Sequence, residues 1–502
     1  MDYSKVKTAG IIGAGVAGLA TARTLQAIGV ECTVFERQDR LGGVWTDGYL
    51  DYGVQVQKEL YEFPDYPLPP DTPQFTPGPV MQQYLEDYAD NFDIRKCIRY
   101  NTPVVKVARA AGKSEGWRVS SKSAGKTSTQ QFDLVVVCVG LYSNIPFVPD
   151  VPGQENFQGD IHHIKDLKSA DLLDGKNIAV IGYGKSATDA ALSASKHGQS
   201  AHIIARKLHW PVPRNLAGIL PFKWGLLNRL TVTVIPPYKT LTALEHAVHS
   251  VGKPLVWLFW RVVELLLFFQ CRLGSNFGTR VSLVPDEKAE FGAFSEATMV
   301  PRPAFYKSVR NGDISFHLGE IEQFDRDGVT LTDGNHIKVD TVIFGTGWRS
   351  DYSYLSAPLK RELGFADDGI YLYRQILHPN APGLAFVGYA STVSNILAYC
   401  MQARWLAALI EGRHQLPDQT AMQREIDTLA RWKRSWMPFS HARAARLIVH
   451  LQHYLDELLQ DIGVNHLRKK GLFAPLAEVF APYQPSDYRS VAKDDWALRE
   501  GL

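Results

Sequence analysis

Two stretches of this chain share one pattern of apolar and polar positions. Ala9–Ile12 is a short unbroken apolar run, the signature of a strand buried on both faces of a parallel sheet. A glycine turn follows, and "LATARTLQAIG" then carries its apolar residues at helical spacing, before "CTVFER" returns to a strand. Ile178–Ile181 opens a second copy, with its own glycine turn and helix, closed by "SAHIIARK". A third pattern stands apart from both. Leu255–Phe269 is apolar at every position but Arg261 and Glu264. As a helix it is about 22 Å long, short of the roughly 30 Å hydrocarbon core of a bilayer. The two charges, three residues apart, suit a salt bridge on one face. The segment therefore reads first as a buried helix, and second as a substrate funnel or a monotopic membrane patch.

A length of 502 residues accommodates two or three domains, and 45% apolar with 21% charged residues is ordinary for a globular protein. The net charge of +2 argues against nucleic acid as the main partner. Cys32, Cys97, Cys138, Cys271 and Cys400 share no metal-ligand spacing, so no metal site is expected and reduced, buried thiols are. "MDYSKVK" runs straight into a strand without a secretory pattern, and the tail "YRSVAKDDWALREGL" is polar. A cytoplasmic location is the expectation.

The chemistry lies in the turns. Gly13-x-Gly15-x-x-Gly18 joins the first strand to its helix. Gly13 allows the tight turn, Gly15 lets the backbone approach a pyrophosphate, and Gly18 lets helix and strand pack closely. The helix N-terminus offers free N–H groups and a partial positive charge to that pyrophosphate. Glu36 ends the next strand, 18 residues past Gly18, where an acid grips a ribose hydroxyl pair. "RLGGVW" (Arg40–Trp45) follows at once, and Gly42-Gly43 lets the chain pass close to a flat ring system. FAD is the nucleotide expected here.

The second turn is Gly182-x-Gly184-x-x-Ala187, with Ser186 placed to bond a phosphate. Its following strand ends in Arg206-Lys207, and Arg206 falls 19 residues past Ala187. An acid at this position would repel a 2′-phosphate, whereas Arg can clasp one, so NADPH is the second nucleotide expected. A resident flavin fed with hydride from NADPH suits a reductase or an oxygenase alike.

Phe157, Gly159 and His163 in "FQGDIHHIKDL" match F-x-G-x-x-x-H, and this resembles the signature of the class B flavin-dependent monooxygenases, which include the flavin-containing and the Baeyer–Villiger enzymes. "DLVVVCVGLYSNIPFVPDVPG" (133–153) and "DTVIFGTGW" (340–348) look like the two strands that connect the nucleotide domains of that group. "GLAFVGYASTVSNILAYCMQARWLAALI" (383–410) is similar to its late FAD-side strand and helix. Within the flavin-containing monooxygenase family, "LYRQILHPNAPGLAFVGY" and "FAPLAEVFAPYQPSDYR" look most like the plant branch that N-hydroxylates pipecolate. The resemblance implies an α/β fold of two Rossmann-like domains. An FAD-binding domain (1–160 and 335–502) would be interrupted by an NADPH-binding domain (161–334), itself carrying a helical insertion at about 208–300. It also extends the cofactor-binding set to Arg37, Gly43, Val44, Trp45, Gln57, Lys185, Lys207, Thr346, Gly347 and Gln402.

By the same resemblance, NADPH reduces FAD, O₂ adds at C4a, and the hydroperoxyflavin oxygenates a soft nucleophile, the nitrogen or sulfur of a small amine or thioether. The chain also departs from the pattern. The N/S-oxygenating enzymes continue after the histidine as S-x-x-Y and the Baeyer–Villiger enzymes as x-x-x-W, but Ile164-Lys165-Asp166-Leu167 fits neither. Where the flavin-containing enzymes place an Asn against flavin and nicotinamide, this chain has Gln55, before Lys58-Glu59. Arg302, in "PRP", is similar to the Arg that Baeyer–Villiger enzymes hold near the flavin. Gln55 and Arg302 are thus the two candidate catalytic residues, one for each chemistry, with a Baeyer–Villiger reaction on a ketone as the alternative. His163 is expected to pack between domains rather than to act as a base. A disulfide reductase is excluded, because no C-x-x-C or C-x₄-C occurs.

Overall fold

A computed structural model describes residues 1–110, 116–142, 145–275, 281–292 and 300–502. Residues 143–144 of the first connecting stretch, and 276–280 and 293–299 of the insertion, lie outside that set. In chain order the strands that matter are β1 (Thr8–Ile12), β2 (Glu31–Phe35), β3 (Ile98–Arg99), β4 (Leu134–Val137), β5 (Asp160–His163), β6 (Asn177–Ile181), β7 (Ser200–Ala205), β8 (Ser315–Leu318), β9 (Thr341–Phe344) and β10 (Leu384–Phe386). They form two five-stranded parallel sheets, in the orders β10-β4-β1-β2-β3 and β8-β7-β6-β9-β5. β1 and β6 sit at the centre of their sheets, so their residues are apolar without alternation, as both faces are covered. Each is joined to its neighbour, β2 or β7, by a helix: α1 (Val16–Ala27) and α2 (Lys185–His197).

The chain leaves the first sheet after β4 and returns after β9. The two crossings pair with each other, Ile145–Pro146 antiparallel to Trp348–Arg349. The return falls after Phe344, whereas the sequence reading assigned 335–344 to the first domain. β9 is as apolar as a first-domain strand, and only its pairing with β6 and β5 shows which sheet owns it.

The insertion between β7 and the helix Pro303–Asn311 carries α3 (Lys253–Cys271). Here the buried-helix reading is overturned. Only Trp260 and Leu267 are buried, while Leu255 is 72% and Phe269 57% exposed. The expected salt bridge is present, Arg261 to Glu264 at 3.0 Å, and Arg261 also pairs with Glu290. Glu264 accepts the backbone N–H of Ala289, and the Trp260 indole donates to the Val234 carbonyl. The polar side of α3 is thus its inner side, and hydrophobicity alone could not reveal that inversion. In α4 (Asn395–Ile410), by contrast, every residue after the first is buried, against α1 and the C-terminal helices. A short helix, α5 (Ala474–Phe480), lies near the C-terminal end.

Candidate functional site

The first turn is built by contacts no side chain could tolerate. Gly13 has φ +103°, and a Cβ on Gly18 would lie 1.9 Å from the Gly13 carbonyl oxygen. Gly15 caps α1 with no side-chain hydrogen bond, so the first N–H groups of the helix stay available. Gly43 stands directly opposite, its Cα 3.5 Å from where a Gly15 Cβ would be. Glu36 is buried at the end of β2, where its carboxylate accepts the N–H groups of Ala14 (2.7 Å) and Gln38 (2.9 Å). The carboxylate is therefore locked beside the turn, with its remaining lone pairs free for a ribose. Arg37 is exposed next to it, and so is Val44. Trp45 packs edge-on against Tyr61, and its carbonyl accepts the Tyr52 hydroxyl. Gln57 donates its amide to the Arg214 carbonyl, yet its Oε1 is buried with no hydrogen-bond partner in the protein. A backbone cradle, a locked acid and an orphaned amide oxygen fit an adenine dinucleotide.

The second turn differs from the first at the end of the following strand. Gly182 has φ +120°, and Gly345 presses so close to Ala187 that a Cβ there would sit 2.7 Å from the Ala187 Cβ. Gly184 caps α2, again without a side-chain cap, and a Cβ on it would meet nothing within 4 Å. Ser186 stands half-exposed in the first turn of α2. Arg206 is exposed at the end of β7 with no ion pair among the described residues, whereas Lys207 is held by Glu287 at 3.2 Å. A free guanidinium there fits a 2′-phosphate. Arg206→Ala is expected to raise the KM for NADPH about 10- to 100-fold and that for NADH little, by loss of a charge-assisted contact. Lys207→Ala should change neither. Steady-state kinetics with both nucleotides checks this, and equal losses for the two cofactors would move the phosphate contact elsewhere.

Beside the second turn, at Lys185, lies a cleft of about 670 Å³, walled by Gly48–Val54 and Phe75–Pro77 of the first domain and by Lys168, Arg214 and Arg302. Beneath it the structure brings together a cluster the sequence reading missed. Asp189 on α2 has a fully enclosed carboxylate that accepts the Tyr49 hydroxyl (2.9 Å) and pairs with Lys185 and with Arg302 (3.1 Å). Burial pushes the Lys185 ammonium below its ordinary pKa, and burial beside Asp189 raises the Tyr49 hydroxyl. Arg302 also donates to the Asp51 carbonyl, so one guanidinium ties the two domains together. The signal was present as an acid among Ala187, Ala190, Ala191 and Ala194 on the buried face of α2.

The Gln55 backbone N–H donates to the Tyr61 hydroxyl at 3.4 Å, and its half-exposed side-chain amide bonds to no described residue. Thr346 donates to the Phe147 carbonyl, and Gly347 lies in the crossing segment, its carbonyl 3.1 Å from His163 Nε2. His163 is buried, stacks edge-on against Trp348 and accepts the Lys165 N–H at Nδ1, and desolvation lowers its pKa. Both ring nitrogens are thus engaged in joining β5 to the crossing, which is a packing role. Gln402 does not take the cofactor-binding place expected of it. It is wholly enclosed, its Oε1 accepting the Gly388 N–H (2.9 Å) and its Nε2 donating to Tyr454 (2.8 Å), so it fixes Gly388 against α1 and does not face a ligand. No group of metal-ligating side chains occurs among the described residues, and all five cysteines are free thiols.

Comparison with known proteins bears on this geometry. The family described as flavin-binding monooxygenase-like matches residues 6–241 and 305–499. The chain is 29% identical to a probable flavin-containing monooxygenase 1 of Arabidopsis thaliana, over 97% of each chain. It is 26% identical to the human flavin-containing monooxygenase 1, over 98% of this chain and 90% of that one. Among solved structures it is similar to the S-allyl-L-cysteine S-oxygenase of Allium sativum (TM-score 0.62, 20% identity, 98% and 94% covered). It is also similar to cyclohexanone monooxygenase in its cyclohexanone-bound form (TM-score 0.68, 15% identity, 90% and 97% covered).

Proposed function

Because this chain belongs to the flavin-binding monooxygenase-like family, we propose that it is an FAD-containing, NADPH- and O₂-dependent monooxygenase that oxygenates the nitrogen or sulfur of a small amine or thioether. The observation that carries the choice of chemistry is the state of Arg302. Baeyer–Villiger insertion needs a cation at the flavin to stabilise an anionic oxygen adduct. Arg302, the residue that would supply it, is committed to the buried Asp189 carboxylate and to the Asp51 carbonyl. A neutral amine or thioether brings its own lone pair, so no side chain has to remove a proton. His163, with both nitrogens engaged, is consistent with that.

When bound and reduced, the flavin supplies the activated oxygen; the protein supplies orientation and a dry site. Glu36 and the N-terminus of α1 would hold the flavin dinucleotide, and Arg206 with the N-terminus of α2 would hold NADPH. The crossings Ile145–Pro146 and Trp348–Arg349 pair with each other where the chain passes from one sheet to the other. We assign the free amide of Gln55 to the nicotinamide, keeping water from the reacting centre. Gln55→Ala is then expected to keep its flavin and be reduced at the normal rate. It should release roughly fivefold more hydrogen peroxide per NADPH, the worth of one hydrogen bond of about 1 kcal/mol. Oxygen-dependent NADPH oxidation with amines, thioethers and ketones tests the whole reading. Product only from ketones, abolished by Arg302→Ala, would establish the Baeyer–Villiger alternative, which the likeness to cyclohexanone monooxygenase keeps as the second reading.

We also place the protein on the cytoplasmic side of a membrane surface, with α3 as the contact. By length and composition α3 could cross a bilayer. Arg261 through Glu290, and Glu264 through the Ala289 N–H, tie its polar side to the neighbouring helix Ala289–Gly292 and hold it instead along the surface, with its apolar side outward.

A further inference from the structure

A second helix repeats the inversion seen in α3. In α5 the single charged residue, Glu478, turns inward to accept the Lys469 N–H and the Tyr483 hydroxyl. Leu472 (89% exposed), Phe473 (71%), Leu476 and Phe480 face out. A string of touching elements links the two helices. α5 contacts the helix Arg229–Val232, which contacts Phe222–Leu226 and through it the hairpin Asn215–Pro221. That hairpin is hydrogen-bonded to the end of α3, since Gln270 accepts the Ala217 N–H (3.0 Å) and donates to the Asn215 carbonyl (2.6 Å). Every link exposes apolar side chains: Leu230, Trp224 and Ile219 (86%).

Beside α5 opens a cleft of about 460 Å³ whose charged lining is six cations and one acid. Three of the cations are neutralised: Arg468 by Glu500, Lys469 by Asp487 and Arg499 by Asp495. Lys470, Arg489 and Lys493 have no carboxylate within ion-pair distance among the described residues. Cations without a direct ion pair around a cavity, bordered by outward-facing leucines and phenylalanines, match a surface that is anionic at the headgroup and apolar just below it. A protein partner would have to bury the same three cations against acids while accepting two separated apolar helices.

We infer that this cleft takes the phosphate headgroups of anionic phospholipids while Leu472, Phe473, Leu476 and Phe480 enter the acyl boundary beside it. The inference rests on the reading that α3 lies on a membrane, and it names the lipid that membrane presents. Each basic residue near an anionic surface strengthens binding about fivefold, so three together give roughly a hundredfold.

The test uses the flavin-loaded full chain and sedimentation with vesicles of phosphatidylcholine alone or with about 30% phosphatidylserine. The expected result is partitioning roughly a hundredfold stronger to the anionic vesicles. Lys470→Gln, Arg489→Gln and Lys493→Gln together should abolish that preference, with the fold kept by circular dichroism and vesicle-free NADPH oxidation unchanged. Leu476→Ser with Phe480→Ser should weaken binding to both vesicles. Equal wild-type binding to both vesicles would overturn the cleft inference and leave the α3 reading intact. So would an anionic preference that survives the triple substitution. Binding to neither vesicle would overturn both. Thermal stabilisation of the wild type by millimolar inorganic phosphate, without vesicle binding, would show a soluble-phosphate site instead.

Discussion

Gly18→Ala is expected to purify almost free of flavin. The added Cβ would sit 1.9 Å from the Gly13 carbonyl oxygen, and that neighbour is backbone, which cannot rotate away. Helix α1 would have to slide off β1, at a cost of about 1–3 kcal/mol for overpacking. The slide also removes its N-terminal N–H groups from the position a pyrophosphate needs, so retained flavin should fall by at least roughly tenfold. Gly184→Ala is the control. Nothing lies within 4 Å of its Cβ and its φ of −88° suits any residue. It should fold and hold flavin normally, yet raise the KM for NADPH at least roughly tenfold, because the methyl fills the space in front of α2. Flavin absorbance after gel filtration, melting temperature and NADPH kinetics separate the two variants. A Gly18→Ala protein with full flavin occupancy would refute the packing argument. A Gly184→Ala protein with unchanged NADPH kinetics would remove the second turn from the nucleotide site.

These turns were legible because their chemistry is local. Strand, glycines, helix and ribose-reading residue occupy fixed offsets along some thirty residues, so spacing alone places Glu36 and Arg206 at matching ends of β2 and β7. What depended on the far side of the molecule was not legible. Leu255–Phe269 has the composition of a buried helix, and the inward turn of its two charges is decided by Glu290 and Ala289, some 25 residues on. Gln402 stands in a stretch similar to a cofactor-side helix. Tyr454 and Gly388 take up its amide, and neither contact follows from spacing. Arg302 read as a residue for the flavin, because its partner Asp189 lies 113 residues earlier in the chain.

Asp189→Ala is expected to be the most destabilising single change at the cleft. Its carboxylate is fully enclosed and answers three groups at once, the Lys185 ammonium, the Arg302 guanidinium and the Tyr49 hydroxyl. Without it two cations face each other, with Arg214 nearby as a third. Breaking a buried ion pair by removing one partner costs about 3–5 kcal/mol. In a domain of this size each 1 kcal/mol lowers the melting temperature by roughly 2–4 °C, so a fall of about 6–20 °C is expected. The loss should depend on pH in a definite direction. The pKa of Lys185 is already below the ordinary 10.5 through burial, and losing its anion lowers it further. Between the folded and the ordinary value the unfolded chain then binds the extra proton, so stability rises with pH. The variant should therefore recover part of its deficit as pH climbs toward 10.5. Adding Lys185→Met should relieve the repulsion and restore stability by more than either single change predicts, a coupling that a double-mutant cycle measures. Because Tyr49 and Asp51 belong to one domain and Lys185 and Asp189 to the other, the restored double variant should still bind NADPH poorly. Calorimetry of the two single variants and the double variant across pH decides it. An Asp189→Ala protein that melts with the wild type, or whose deficit grows with pH, would show that the cluster is not the charge lock joining the two domains.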